Sequence, residues 1–175
     1  MTTTLILPHS TTTDLETDAH LVAEERVMHR LSVWYPGLEW KKAGKYDRFD
    51  FHIRIPAGEQ GAWVYRDVEV KCRNYSSTSF PTSLIHESKY SALVQHARDT
   101  WTRTLLVTHW LRDDIITTHR VTPDRLEAYE RSNKSRSDRS YAADRNAKIL
   151  IPSADCAYYP RYTQTMTMDG VYDAL

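Results

Sequence analysis

The sequence has few cysteines and few glycines, and both shortages exclude particular kinds of functional site. Two of the 175 residues are cysteines, Cys72 and Cys156, and the eight histidines are scattered without an H-E-x-x-H grouping. A disulfide framework or a structural zinc site needs more cysteines at closer spacing, so we expect neither. With five glycines in all, the chain has no glycine-rich phosphate loop and no G-x-S-x-G nucleophile elbow.

The sequence also lacks a signal peptide, a long apolar run and a net charge. Its 23 Lys and Arg residues balance 23 Asp and Glu residues, so a nucleic-acid site would have to be a local basic patch. Without a membrane-spanning run, we expect a cytoplasmic protein with reduced cysteines and no membrane partner. A length of 175 residues predicts one domain with a substantial core.

Two runs of alternating residues dominate the middle of the chain. Apolar residues alternate with Asp, His and Arg from Phe49 to Ile55, and valines alternate with Tyr, Asp, Glu and Lys over 64–71. Alternation with a period of two residues predicts two half-buried strands, joined by a turn at 56–61. Antiparallel pairing across that turn is expected to bring Asp50 opposite Asp67.

The second run places an acid and a base side by side. Glu69 and Lys71 are two residues apart, so they share one face of the strand at a separation of about 6.5 Å. Asp50 is expected one step away on the same face. Carboxylate oxygens bind hard cations such as Mg²⁺ together with a substrate phosphate, and a lysine there can orient or deprotonate a water. The alternative interpretation is a solvated surface ion pair.

Asp50 followed by Glu69-Val70-Lys71 resembles the PD-(D/E)XK nuclease superfamily, which includes restriction endonucleases, Holliday-junction resolvases and phage exonucleases. The resemblance covers roughly Leu21 to Leu111. It implies that Asp50 and Glu69 are metal ligands and that Lys71 is the catalytic lysine. Phe49 precedes Asp50, so the proline of the motif is absent and Asp47 remains a rival for the first aspartate. Whether Asp47 or Asp67 shares the metal site stays open.

A helix is predicted before these strands. Apolar residues recur at helical spacing between Asp18 and Tyr35, and Glu24 projects near the middle of the apolar face. A carboxylate in that position is costly unless it has a partner. The resemblance implies that Glu24 joins the metal site, directly or through water. The alternative is a salt bridge to Arg30 or another base.

The rest of the chain predicts further elements of an α/β fold. In order, these are a helix over 83–98, a strand over 104–111, a strand over 115–121, a helix over 122–132 and a short edge strand over 148–151. Helix, hairpin, helix, strand is the order of the nuclease core, so the resemblance implies a restriction-endonuclease-like core, a mixed central β-sheet flanked by helices. We expect a single domain over 1–175, with its core at about 18–121 and a helix, basic loop and tail at 122–175.

Several residues outside the proposed metal site are candidates for nucleic-acid contact. They are Arg73 and Ser76 near the polar loop that follows Lys71, Lys89 on the second helix, and Lys134, Arg136 and Arg139 in a serine-rich stretch. The alternative interpretations are a plain connecting loop, a solvated lysine and a flexible loop.

These features predict a Mg²⁺-dependent DNA nuclease, with Mn²⁺ expected to substitute. One alternative is a nuclease-like protein without catalysis that binds DNA or takes part in assembly. Another is an unrelated α/β domain with surface salt bridges. The compact length resembles stand-alone phage nucleases, which would act in the host cytoplasm. Many relatives form dimers or rings, and an aromatic tail with Tyr158, Tyr159, Tyr162 and Tyr172 would permit a homo-oligomer.

Overall fold

The computed structural model describes residues 18–44, 46–57, 61–132 and 147–159. The elements of this part of the chain are α1 Asp18–Trp34, β1 Glu39–Lys42, β2 Phe51–Ala57, β3 Ala62–Arg73, β4 Thr82–His86, α2 Glu87–Thr100, β5 Arg103–Trp110, β6 Ile115–Val121, α3 Pro123–Ala128, β7 Arg131–Ser132, β8 Lys148–Pro152 and β9 Ala157–Tyr159. None of these helices is long and apolar enough to cross a membrane.

A mixed sheet forms the centre of the fold. Its strand order is β1-β2-β3-β5-β6-β9. Strands β3 and β5 pair in parallel, and the other neighbours pair antiparallel. Parallel neighbours need a long crossover, which β4 and α2 supply. A second, antiparallel sheet has the order β4-β8-β7. The predicted α/β class, a mixed sheet flanked by helices, is confirmed.

The two faces of the central sheet cover separate apolar clusters. On one face, α1 buries Val27, Met28, Leu31 and Trp34 against alternate residues of the strands, as the helical spacing predicted. On the other face, α2, α3 and the second sheet pack around Tyr90, Leu93, Leu106, Val121 and Ile149. Each fully buried aliphatic side chain stabilises the fold by about 1.5–3 kcal/mol. Residues of β3 therefore alternate between two interiors rather than between an interior and water.

The pairing of β2 with β3 differs from the predicted register. His52, not Asp50, lies opposite Asp67, and Phe51 lies opposite Val68. Pro56 and Ala57 also pair with β3, so the strands extend into the predicted turn and the register moves by two residues. Because the side-chain period of a strand is two, this shift keeps each side chain on its expected face.

Phe49 was expected to share a face with Phe51, and this was wrong. β2 begins at Phe51, and Phe49 packs in the cluster under α2 instead. The chain bends at Asp50, which ends the alternation before Phe49.

Three predicted elements have different bounds or positions. Residues 83–86 form a strand rather than the start of a helix, because Leu84 and Ile85 pair with Leu150 and Ile149. Helix α3 ends at Ala128. Strand β8 lies in the middle of its sheet and not at an edge. Each difference comes from pairing between segments that are far apart in sequence.

Of the two tail tyrosines that the structure describes, Tyr159 packs on the body and Tyr158 is 41% exposed. Tyr159 is buried in β9, and its ring stacks on Trp34 at 5.1 Å between centroids. Its hydroxyl accepts a hydrogen bond from that of Tyr35 at 2.5 Å. Tyr162 and Tyr172 lie outside the described residues.

Candidate active site

Glu69 is a buried carboxylate at the centre of the candidate site. Val68 and Val70 of β3 point into the cluster under α1, so Glu69 points to the opposite face, beneath α2. Its exposed fraction is 1%. The interpretation of Glu69 and Lys71 as a solvated surface pair is therefore wrong for Glu69, because the helix covers it.

Two lysines hold this carboxylate from different elements. Lys71 Nζ of β3 lies 2.5 Å from Oε1 of Glu69, and Lys89 Nζ of α2 lies 2.7 Å from Oε2. Burial raises the pKa of Glu69 above its usual value. The charge of Lys71 opposes that rise, Asp50 adds to it, and Lys89 opposes it. Both lysine side chains remain about one-third exposed, at 35% and 33%.

Asp50 lies at the bend that leads into β2. Its backbone N–H donates to the carbonyl of Val68 at 2.8 Å, and its Oδ2 accepts a hydrogen bond from the Val70 N–H at 2.7 Å. Continuing the register by one residue beyond Phe51 and Val68 places Asp50 across from Glu69. The backbone of β3 thus orients Asp50 beside the buried glutamate, which explains its contribution to the raised pKa of Glu69.

Asp47, the rival aspartate, takes part in the preceding turn. Its Oδ2 accepts a hydrogen bond from the Gly44 N–H at 2.6 Å, and its own backbone N–H donates to the Gly44 carbonyl at 2.9 Å. Both contacts are local, whereas Asp50 bonds to β3. The geometry therefore favours Asp50 as the first acid of the site.

Glu24 lies beside the same part of β3 but pairs with another residue. Its Oε2 accepts from Lys42 Nζ at 2.7 Å, and its side chain is 15% exposed. The salt bridge to another base is therefore present, with Lys42 in place of Arg30. Arg30 instead pairs with Asp114. After burial, Glu24 is the main cause of the raised pKa of Cys72 on β3, so its carboxylate lies near that strand.

A histidine–aspartate group that the sequence pattern did not predict lies next to this site. Asp67 is 4% exposed, and His52 Nδ1 and His96 Nε2 lie 2.8 Å and 2.6 Å from its two oxygens. The rings of both histidines pack against Phe49 with centroids 4.8 Å away. Asp67 thus joins β3 to β2 and to α2, and these contacts occupy both of its oxygens. A signal was present, since His52 shares the strand face predicted for Asp50.

The candidate nucleic-acid residues have mixed positions. Lys89 lies in the site, as described above. The hydroxyl of Ser76 donates to Asp113 at 2.7 Å, beside the same contact from Ser77, which is what the connecting-loop interpretation expects. Arg73 donates to the carbonyl of Leu84 at 2.8 Å. Lys134, Arg136 and Arg139 lie outside the described residues.

The donor set of the site fits a hard divalent cation. Mg²⁺ is commonly held by one or two carboxylates and completes its shell with water and substrate phosphate oxygens. Asp50 and Glu69 supply two carboxylates from adjacent strands. Oε2 of Glu69 receives no hydrogen bond of acceptable geometry from the described residues, although Lys89 lies close to it. The described residues contain no cluster of three His, Cys, Asp or Glu side chains that could form a full protein cage.

Comparison with models of known protein families shows to which family this chain belongs. The family model described as "Phage putative PDDEXK endonuclease" matches residues 11–157. The chain belongs to this family. The PDDEXK resemblance seen in Asp50, Glu69 and Lys71 is thereby confirmed, and the matched region includes all three of these residues.

Two other comparisons accompany the PDDEXK assignment. Among solved structures, the chain is similar to Hjc, a Holliday junction resolvase from the archaeal hyperthermophile Archaeoglobus fulgidus. The sequence identity is 15%, the TM-score is 0.47, and the match covers 86% of this chain and 96% of the resolvase chain. A comparison with curated proteins finds no match.

Proposed function

We propose that this protein is a metal-dependent deoxyribonuclease that hydrolyses phosphodiester bonds, with Mg²⁺ as its ion and Mn²⁺ able to replace it. Asp50 and Glu69 hold the ion, and Lys71 is the catalytic lysine. Membership of the PDDEXK endonuclease family supports a nuclease. The observation that carries the proposal is the buried Glu69, bracketed by Lys71 and flanked by Asp50.

The charge balance of this group argues for a role beyond folding. A buried carboxylate costs several kcal/mol of desolvation, and removing one of its partners leaves an uncompensated charge. Asp50 adds a second negative charge beside Glu69, which raises that cost. Lys71 and Lys89 balance these carboxylates in the metal-free protein, whereas a divalent cation would offset both carboxylates at once and leave the lysines for the substrate.

The residues of the chain divide the work of the reaction. Held by Asp50 and Glu69, a divalent ion would supply Lewis-acid chemistry toward the scissile phosphate and a water. Lys71 Nζ bonds to Glu69 with one of its three protons and has donors left for a water or a phosphate oxygen. It positions that water for in-line attack on phosphorus and stabilises the charge that develops there.

Glu24 and Lys89 act at the border of the site. Lys42 holds Glu24, and Glu24 would assist ion binding through water. Lys89 balances the charge of Glu69 in the metal-free protein. With an ion at Glu69, Lys89 would be available to bind a substrate phosphate.

A cleavage assay with matched lysine variants tests the proposal. The substrates are plasmid and single-stranded DNA, incubated with Mg²⁺, with Mn²⁺ or with a chelator. We expect cleavage by the wild type with either ion, none with the chelator, and none by Lys71→Ala. Lys41→Ala, on the exposed face of β1, is the control and should cleave normally. Full activity in Lys71→Ala would rule out the assigned role.

Metal binding can be measured separately by calorimetry on Asp50→Asn. Asparagine keeps an oxygen that can accept the Val70 N–H, but it removes a negative charge that adds to the effect of burial on the pKa of Glu69. The variant should therefore bind Mg²⁺ or Mn²⁺ at least about tenfold more weakly, while the metal-free fold is as stable as the wild type or slightly more so. A wild type that binds neither ion at millimolar concentration would contradict the proposal.

One observation favours a second candidate, a nuclease-like protein that binds DNA without cleaving it. Lys71 and Lys89 together already neutralise Glu69 without any ion, as a purely structural ion-pair network would. In that case, DNA binding would be independent of metal, and the cleavage assay would give no product under any condition.

A further inference from the structure

Three arginines lie side by side on neighbouring strands, away from the candidate active site. Arg66 of β3 is the direct partner of Arg103 of β5. Arg120 of β6 is the partner of Leu105, two residues after Arg103. Residues two apart on a strand share a face, and so do cross-strand partners. All three arginine side chains therefore lie on one face of the sheet, on the three neighbouring strands β3, β5 and β6.

This face is the one that α1 covers, opposite to Glu69. Leu105 belongs to the cluster under α1, whereas Glu69 lies under α2. Arg66 is five residues before Lys71 on β3, a separation of about 16 Å along an extended strand. The arginines thus form a surface of their own and not an extension of the active site.

Clustering of these positive charges is unfavourable for the isolated protein. Burial, followed by repulsion from Arg103 and Arg120, lowers the pKa of Arg66 to about 10. Like charges at directly opposed positions of a sheet destabilise it. An anion that carries several negative charges at regular spacing would remove this repulsion.

An exposed aromatic residue lies near Arg103 in the chain. Trp101 precedes Arg103 by two residues and ends α2 in the left-handed region, with φ of 58°. Its side chain is 93% exposed. A bulky residue is rare in that backbone conformation, and a fully exposed tryptophan contributes little to the core. The position thus costs stability while presenting a flat ring to solvent.

We propose that Trp101, Arg66, Arg103 and Arg120 form a second nucleic-acid contact surface, in which the arginines bind consecutive phosphates and Trp101 stacks on an unpaired base. Stacking platforms beside basic grooves are a common design for single-stranded nucleic acid. The inference rests on the proposed function for the choice of DNA as the ligand. An acidic protein partner would suit the charges, but it would not require an isolated exposed ring at a strained position.

The test measures DNA binding without cleavage, in the Lys71→Ala background. Fluorescence anisotropy of a labelled single strand is recorded across a range of salt concentrations. Loss of two phosphate contacts in Arg103→Ala/Arg120→Ala should reduce the magnitude of the slope of log K against log salt by about 1.4. Trp101→Ala should weaken binding at least about fivefold. In the parent, DNA should quench tryptophan fluorescence, and this quenching should decrease in the Trp101 variant.

Arg54→Ala is the matched control because it removes one charge from the opposite face at the same end of the sheet. Arg54 is an exposed residue paired with Glu39. Its substitution should leave the salt slope unchanged. Circular dichroism checks the fold, and Arg103→Ala alone replaces the double variant if that variant does not fold, since Arg103 is exposed.

The outcomes separate this inference from the proposed function. Unchanged slope and affinity in the arginine and tryptophan variants would overturn the second surface, as would an equal effect of Arg54→Ala or stronger binding of poly-glutamate than of DNA. Cleavage by the wild type is scored independently. A protein that binds DNA through these residues but never cleaves it would refute the nuclease and support the surface.

Discussion

Lys89 of α2 lies 2.7 Å from Oε2 of Glu69 on β3, so a helix supplies a cation to a carboxylate of the sheet it covers. The same helix contributes His96, which contacts the buried Asp67, and Asp67 lies two residues before Glu69 on β3. Two polar contacts therefore hold α2 against one face of β3. The geometry of the candidate site and the packing of α2 are consequently linked.

Substitution of Lys89 should destabilise the metal-free protein in a pH-dependent way. Burial holds the pKa of Glu69 above 4.5 in the folded state. The free energy of unfolding therefore falls as the pH rises above the pKa that Glu69 has in the unfolded chain. Removing Lys89 raises that pKa further. Lys89→Met should therefore lose about 1–3 kcal/mol of unfolding free energy at pH 8 and much less at pH 4. Urea unfolding at both values measures this, and an equal loss at both would contradict it.

Stability should also fall in mild acid because of His119. This histidine is 2% exposed, and burial lowers its pKa from 6.5 to about 4. The unfolded chain then binds a proton that the folded chain does not, so stability is lost as the pH falls from about 6.5 to 4. The loss should reach about 3 kcal/mol. His119→Gln should flatten this part of the pH profile.

The control for His119 is His20→Gln, at an exposed position of α1, measured by thermal or urea unfolding in the same buffers. Parallel pH profiles for wild type and His119→Gln would show that His119 is not the residue responsible.

Two glycines with positive φ should respond differently to alanine. Gly37 has φ of +83°, and a Cβ there would lie 2.8 Å from Cγ of Pro56; Gly61 has φ of +70° and open space. Gly61→Ala should cost about 1 kcal/mol for the left-handed backbone alone. Gly37→Ala should cost about 1 kcal/mol more because a proline ring cannot swing away. Equal losses in chemical denaturation would refute the steric part of this account.

Trp101 should be replaceable with a gain in stability. Glycine adopts its φ of 58° without steric cost, although it also has more freedom in the unfolded chain. Trp101→Gly should raise the unfolding free energy by about 0.5–1 kcal/mol. Trp101→Ala keeps the unfavourable backbone and should be close to neutral, because the indole is exposed. A large loss in either variant would mean that Trp101 packs in the folded protein.

The sequence alone was sufficient for the local part of the fold. Helical spacing predicted the buried stripe of α1, and alternation placed Glu69 and Lys71 on one face of β3. The motif formed by these two residues and Asp50 also indicated the nuclease family. These inferences succeeded because the periods of helix and strand depend on backbone geometry close to each residue.

The tertiary structure decided which residues became partners. Helix α2 converts Glu69 from a surface acid into a buried one, and Lys42 rather than Arg30 pairs with Glu24. The strand at 82–86 forms because β8 lies beside it. Burial and ion pairing depend on segments far apart in the chain, and their free energy exists only once those segments pack together, so no local pattern encodes them.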